Sequence, residues 1–384
     1  MVKRAPIETY CEKKISTLQK NAIGMIDYVD ISSVDNIKKK IISFQTMNTK
    51  DAPSRAKQLL KKDDIIISTV RPNLNAVAVV ESETDNLMVG STGYCVLRCK
   101  DNMDFRYLFN FCQSQYFIDD MSSQATGASY PAVSTAIVRS SLIPNYPVDE
   151  QRRIASELDK ITDLIDKRKE QLEKLDALVK ARFVELFGDP MTNSKGHILK
   201  KYGDLFELNA GGTPSKQKPE YWENGTISWI GSNMCQNTVI YENDGNYITE
   251  EGLKHSSARM FPVDTVLIAL VGATIGKTAL LKFETTTNQN VLGVRGIRES
   301  GYTPEFVFYY TQGLYQKFLD IGDGGFSMAS KGFISELPVP VVDLALQEQF
   351  AAFVKQTDKS KLAVQKSLEE LETLKKSLMQ QYFG

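Results

Sequence analysis

The chain is short of the residues that usually carry bond chemistry. Its 384 residues include two histidines, His197 and His255. Neither stands in a His-x-x-x-His, Cys/His or Ser/His/Asp context, so each reads as a surface residue. The five cysteines are scattered, and Cys95 and Cys99 have no second pair at metal-ligand spacing. They read as reduced thiols of a cytoplasmic protein that holds no metal. No apolar run approaches the roughly 18 residues of a membrane span. The opening MVKRAPIETY has cations without the apolar stretch of a secretory signal. Charge of one sign is also missing: 46 Lys+Arg face 47 Asp+Glu, a net −1. That balance excludes a simple basic nucleic-acid sponge. Any phosphate binding falls to local patches or to a basic partner.

Catalytic signatures are absent as well. The run Gly276-Lys277-Thr278 invites a phosphate-loop reading, but the glycine required five residues before Gly276 is Val271. There is no dinucleotide fingerprint, no Asn-Pro-Pro-Tyr-like methylation motif and no nuclease-type carboxylate cluster. The expectation is a chain that performs no bond chemistry and binds no cofactor.

What the sequence does contain is its own layout twice. Residues 172–180 read LEKLDALVK and residues 368–376 read LEELETLKK, and the runs end alike, in Leu186-Phe187-Gly188 and Tyr382-Phe383-Gly384. AVSTAIVRSSLIP from Ala132 lines up with MASKGFISELPVP from Met328. DIIISTVRPNLNAVAVV from Asp64 lines up with DTVLIALVGATIGKTALL from Asp264. The repeat divides the chain into residues 1–148, a helix over 149–190, residues 191–346, and a helix over 347–384. The two globular parts differ in charge, with 18 Lys+Arg against 15 Asp+Glu in residues 1–148 and 13 against 16 in residues 191–346.

The first helix is predicted to start at an Asp149 cap and stop at Gly188-Asp189-Pro190. Ile154, Leu158, Ile161, Ile165, Leu172, Leu175, Val179 and Leu186 form a heptad seam interrupted by Arg168 and Arg182. The second seam runs Phe350, Val354, Val364, Leu368, Leu371 and Leu378, with Thr357, Lys361, Lys375 and Tyr382 between. Neither helix is apolar all round, so each needs a partner. Similar period and length predict an antiparallel coiled coil of the two. The globular parts mix β-rich runs (64–70, 76–80, 94–97, 263–271, 278–281) with short helical patterns (106–121, 304–319). The fold class expected is α+β, two similar domains joined by two long helices in a pseudo-twofold repeat.

Polar loops punctuated by aromatics recur at matching places. In the first half the candidate contact residues are Arg71, Asn73, Asn75, Thr92, Tyr94, Ser129 and Tyr130. In the second they are Thr213, Ser215, Lys216, Asn233, Thr274, Lys277, Asn288, Gln289, Ser327 and Lys331. Such side chains read base edges and phosphates.

With those residues in hand, the layout resembles the DNA-specificity subunit of type I restriction–modification systems. The carriers are Pro147-Val148-Asp149-Glu150-Gln151-Arg152-Arg153-Ile154, the run 172–187 with Gly188-Asp189-Pro190, and Gly211-Gly212-Thr213-Pro214-Ser215 leading to Tyr221-Trp222 and Ile227-Ser228-Trp229-Ile230. Pro338-Val339-Pro340 and Gln347-Glu348-Gln349 are the second copy. The resemblance implies two target-recognition domains reading a bipartite, asymmetric duplex DNA sequence, with the helices as a spacer between half-sites. It implies recruitment of two adenine-N6 methyltransferase (M) subunits and two ATP-dependent restriction (R) subunits. S-adenosylmethionine and ATP with magnesium would bind in those partners, and the docking surface would use spare apolar positions such as Leu164, Leu178, Phe353 and Leu374. Two other readings stay open: a protein–protein scaffold with two modules on a coiled coil, and a single-chain enzyme with an unrecognised site.

Overall fold

The computed structural model describes residues 2–19, 22–81, 84–321 and 328–384. The chain divides into two compact units, Met1–Glu170 with Gln365–Gly384, and Gln171–Val364. Two 40-residue helices, Val148–Phe187 and Leu344–Phe383, contribute to both.

The first of these helices begins earlier than an Asp149 cap predicts. The Gln151 N–H donates to the Pro147 carbonyl at 2.9 Å, so Pro147 is the boundary. Asp149 lies inside the first turn, where its charge faces the positive end of the helix dipole. In the second copy Asp343 does cap: its carboxylate accepts from Ala345 N–H at 2.9 Å, and its carbonyl from Gln347 N–H at 3.2 Å. The first helix ends as expected. Gly188 takes a φ of 83°, and its N–H returns to the Val184 carbonyl at 2.8 Å.

Within each unit the two helical segments run antiparallel. In the first unit the Tyr382 hydroxyl donates to Glu157 Oε2 at 2.8 Å, and Lys169 lies 3.2 Å from Glu372. In the second, Lys361 pairs with Asp176 at 2.6 Å, and the Phe183 and Phe350 rings meet edge-on at 5.3 Å. Lys361, a polar break in the predicted seam, is therefore matched by an acid on the facing helix.

The seam itself drifts. Ile154, Leu158, Ile161, Ile165, Val179, Phe350, Val354, Val364 and Leu368 are buried as predicted, while Leu172, Leu175 and Leu371 are half-buried. Toward its end the first helix turns a neighbouring stripe inward: Phe183 and Phe187 are buried, and Leu186 is only half-buried. The second helix likewise buries Phe383 completely and leaves Leu378 half-buried. A straight α-helix departs from a 3.5-residue repeat by about 20° per heptad. At these ends the target is also a domain core rather than a facing helix. Ile154, Leu158, Tyr382 and Phe383 join Ile65, Ile67, Tyr107 and Phe111 in the first unit's core. Val179, Phe183, Phe187, Phe350 and Val354 join Phe306 and Tyr310 in the second's. Each fully buried aromatic is worth roughly 1.5–3 kcal/mol.

A glutamine fixes each helix to its domain. Gln151 accepts from Asp104 N–H at 2.9 Å and donates to the Tyr146 carbonyl at 2.8 Å. Gln347 accepts from Thr303 N–H at 2.9 Å and donates to the Val342 carbonyl at 3.2 Å.

The domains are α+β and share a motif. In the first unit Ile65–Ser68 lies between Tyr94–Leu97 and Val77–Val79, antiparallel to both. In the second, Val266–Ala269 lies between Val291–Arg295 and Thr278–Leu281 in the same manner. Each copy also pairs two short strands antiparallel: Arg4–Pro6 with Leu142–Pro144, and Leu199–Lys201 with Pro338–Pro340. The two predicted helical patterns each split, into Phe105–Phe111 with Gln115–Ser123 and Pro304–Gly313 with Tyr315–Leu319. Ser114 causes the first break, since its hydroxyl accepts from Phe117 N–H at 3.2 Å and starts a new helix. The first unit adds a four-stranded sheet in the order Gln45–Asn48, Met25–Val29, Leu87–Ser91, Ala56–Leu59.

Candidate nucleic-acid interface

In both copies the loops singled out in the sequence meet at one end of the central strand. In the first unit Thr69 follows strand Ile65–Ser68, and its N–H and hydroxyl both donate to the Gly93 carbonyl at 2.9 Å. Val133 N–H donates to the Thr69 carbonyl at 2.9 Å, and Arg71 N–H to the Pro131 carbonyl at 2.7 Å. In the second unit Leu270 follows Val266–Ala269. Its N–H donates to the Asn290 carbonyl at 2.8 Å, and its carbonyl accepts from Ala329 N–H at 2.9 Å. The backbone wiring of the two sites is the same.

Around that wiring the first unit displays Arg71, Asn73, Thr92, Ser129 and Tyr130, all exposed. Arg71 and Asn75 hold left-handed backbones, φ 51° and 48°, either side of the 3-10 turn Pro72–Leu74. The Arg71 guanidinium lies over the Tyr130 ring at 4.8 Å, so two of the predicted residues form one cationic, aromatic surface.

Two predicted residues belong to the interior instead. Tyr94 is 1% exposed, its hydroxyl donates to the Asp30 carbonyl at 2.6 Å, and burial pushes its phenol up. Asn75 is buried, its amide donates to the Cys112 carbonyl at 2.8 Å, and its side-chain oxygen accepts from Lys39 at 2.8 Å. Alternation puts one residue of a hairpin inward and the next outward, and the sequence alone does not say which.

In the second unit Gly211 and Gly212 run against residues 287–291, with N–H bonds to the Val291 and Thr287 carbonyls at 3.0 and 2.8 Å. A Cβ on Gly212 would stand 2.3 Å from the Ser257 carbonyl carbon, so only glycine passes there. Beyond it Thr213 donates to Gln289, which joins two predicted residues. Asn288 N–H donates to the Ile230 carbonyl at 3.1 Å, beside exposed Asn233. Lys277 donates to Gln236 at 2.9 Å, and Gln236 to the Asn233 carbonyl at 3.0 Å. Gln236 is thus a polar link that the sequence reading missed; it lies in an unpatterned turn. Ser215 serves the scaffold through its carbonyl, which accepts from the Trp222 indole at 3.2 Å; that ring meets Trp229 edge-on at 5.3 Å. Thr274 is half-buried, and its hydroxyl is directed at the Val271 carbonyl at 3.4 Å. Lys216 and Lys331 are exposed, the latter opening the short helix Lys331–Ser335. Ser327 lies outside the described residues.

The Gly272–Lys277 turn does not cradle phosphate. Its Ile275, Gly276 and Lys277 amides donate to the Gly272, Ala269 and Thr274 carbonyls at 3.1, 2.9 and 2.9 Å. Of the two histidines, His255 is exposed beside Glu251 at 3.1 Å, while His197 is half-buried rather than a surface residue. Among the described residues no three His, Cys, Asp or Glu side chains gather as a metal site. No helix among them is long and apolar enough to cross a membrane.

The model of the type I restriction modification DNA specificity domain matches residues 7–176 and again 198–373. The chain belongs to that family. The double match is the internal repeat. A type I restriction enzyme specificity subunit of Escherichia coli is 37% identical over 98 residues, 25% of this chain and 24% of that protein. The HindI specificity subunit of Haemophilus influenzae is 23% identical over 378 residues, 77% of this chain and 80% of that protein. Another, from Methanocaldococcus jannaschii, is 30% identical over 190 residues, less than half of either chain. Among solved structures, a type I restriction–modification S subunit from M. genitalium superposes with a TM-score of 0.60 at 16% identity, covering 99% of this chain and 96% of that one. A chain from a study of complex assembly and conformational transition in a type I system reaches 0.64 at 22% identity, covering 99% and 97%.

Proposed function

We propose that this specificity-family chain reads a bipartite duplex DNA target, one half-site with each domain, on behalf of a type I restriction–modification complex. The observation that carries the proposal is the repeated site: the Thr69–Gly93–Val133 and Leu270–Asn290–Ala329 wiring supports two equivalent platforms with different side chains on them. Equivalent scaffolds with unlike surfaces suit an asymmetric target. Arg71, Asn73, Thr92, Ser129 and Tyr130 serve the first half-site. Thr213, Gln289, Asn233, Asn288, Lys277, Lys216 and Lys331 serve the second, and Gln236 joins them. Arg71 is placed for bidentate contact with a base or for a phosphate, with Tyr130 as its stacking support.

The chain itself is non-catalytic. Two methyltransferase subunits carry S-adenosylmethionine, and two restriction subunits carry ATP and magnesium. Leu164, Leu178 and Leu374 remain 45%, 50% and 47% exposed on the long helices, which suits docking of those partners. Phe353 is withdrawn from that set, because it packs against the second unit's core under the Arg182 guanidinium.

Single-molecule methylation mapping of host DNA, with and without the gene, tests the proposal. Loss of one bipartite adenine-methylated motif is the expected result. An unchanged methylome together with no footprint from the assembled complex would return the chain to the scaffold reading.

A further inference from the structure

Cys11 and Cys99 face each other across an isolated antiparallel bridge in the first unit. The flanking hydrogen bonds run from Glu12 N–H to the Arg98 carbonyl and from Lys100 N–H to the Tyr10 carbonyl, both 2.9 Å. That pattern makes them a non-hydrogen-bonded pair, the register in which opposed Cα atoms approach to ~4.5 Å and side chains lie closest. The spacing falls within the Cα separation that a disulfide spans, about 4.4–6.8 Å. The sequence hid the pair, because 88 positions separate the two residues. It drew notice instead to Cys95 and Cys99, and Cys95 opposes Ile67 in a different strand pair.

We infer that Cys11 and Cys99 form a reversible, oxidation-dependent disulfide, a modification site set apart from the recognition loops. Cys99 is half-buried and gives access, whereas Cys11, opposite it, is buried. A hydrogen bond from the Cys99 thiol holds the Cys11 thiol below its usual value, against the opposing effect of burial, and the charges of Arg139 and Lys100 assist. The same hydrogen bond, with burial, pushes Cys99 up. Arg139 and Lys100 are anchored beside the pair, donating to the Glu12 and Thr9 carbonyls at 2.7 and 2.9 Å. Nearby Cys112 is fully enclosed and is pushed well up by burial, so it stays a thiol.

The oxidant class is a hydroperoxide. A thiolate of the pair attacks one peroxide oxygen; an S–O bond forms, the O–O bond breaks, and hydroxide leaves to take a proton as water. The facing sulfur then attacks the resulting sulfenic acid. An S–S bond forms, the S–O bond breaks, and the second water carries off the remaining thiol proton. Two thiols lose two electrons, and one hydrogen peroxide becomes two waters. A dithiol reductant reverses the change.

The bond fastens the segment that opens the chain. Arg4, in the strand just before Cys11, donates to the Phe383 and Gly384 carbonyls at 2.9 and 2.8 Å. Oxidation therefore secures the strand that holds the end of the last helix in the first unit.

The full-length chain, reduced and then treated with hydrogen peroxide, gives the test by thiol titration, non-reducing peptide mapping and thermal melting. Expected are a loss of two of the five free thiols, a linked peptide pair containing Cys11 and Cys99, and a higher melting temperature that dithiothreitol reverses. The C112S variant should behave identically, and C99S should form no cross-link. Retention of all five thiols, a linkage between any other pair, or over-oxidation of Cys99 without a cross-link would overturn the inference.

Discussion

Asp64 and Asp264 stand at the same place in the repeat, and each binds an arginine placed equivalently, Arg98 or Arg298. Their surroundings differ. The Asp64 side chain is 0% and that of Arg98 14% exposed, in a two-bond pair of 2.7 and 2.6 Å. Arg298 is 61% exposed, and Asp264 also has Lys282 at 2.8 Å. Removing one partner of a buried pair leaves the other charge stranded, at a cost of about 3–5 kcal/mol. Asp64→Asn should therefore destabilise the first unit by about that much in urea unfolding, whereas Asp264→Asn should cost the second only about 1 kcal/mol. Equal effects would refute the burial argument. Gln151 and Gln347 lead to the opposite expectation, because both are buried and similarly bonded. Alanine at either should cost about 1–3 kcal/mol through orphaned backbone groups, measurable by the same unfolding assay. These residues show how far the sequence was legible. The repeat located both glutamines and both aspartates, since shared spacing survives without a structure. Which arginine each aspartate binds depends on chain reversals between strands, and local pattern does not encode those.

At the scale of elements, the turn over residues 35–40 shows a charge conflict. Lys39 donates to the Asn75 carbonyl at 2.5 Å and lies among groups that include Lys375 of the last helix. Burial, then the Lys375 charge, lowers its pKa from 10.5 to about 8. Between those values the unfolded chain holds more protons than the folded one. Stability from this group therefore rises as pH climbs from about 8 toward 10.5, and the full penalty applies below 8. Lys39→Met should flatten that rise in melting temperature, and an unchanged slope would remove Lys39 from the account. The sequence marked Lys375 as a flaw in the seam without showing what opposes it. The long helices were legible because forty residues of period cannot be mistaken, while the four-stranded sheet of the first unit was not. Its strands are four or five residues long and partly exposed, too brief for alternation to stand out. On the first helix, Leu178→Glu should leave stability within about 0.5 kcal/mol, as an exposed site does. It should weaken methyltransferase assembly if that face docks the partner. Normal assembly in a pull-down of purified subunits would exclude the position.

For the whole molecule, two sites with one wiring predict separable functions. Exchanging residues 191–346 for the corresponding segment of another family member should alter one half-site in a methylation map and leave the other unchanged. Alteration of both would mean that recognition is not divided by domain. That division was visible in the sequence because it is a repeat. The assignment of individual contacts was not, as Tyr94 and Asn75 show: their polar groups turn inward to Asp30 and Cys112.

The sharing of both long helices between the units also affects how the protein is made. The first unit's core includes Tyr382 and Phe383, which follow the whole of the second unit in sequence. A ribosome moving at about 5–20 residues per second has to pass the whole of the second unit and reach residue 383 before that core can close. The first unit, begun ahead of the second, is thus completed after it, and until then the apolar face at Phe111 and Tyr107 that Phe383 covers stays open, a natural client for a chaperone.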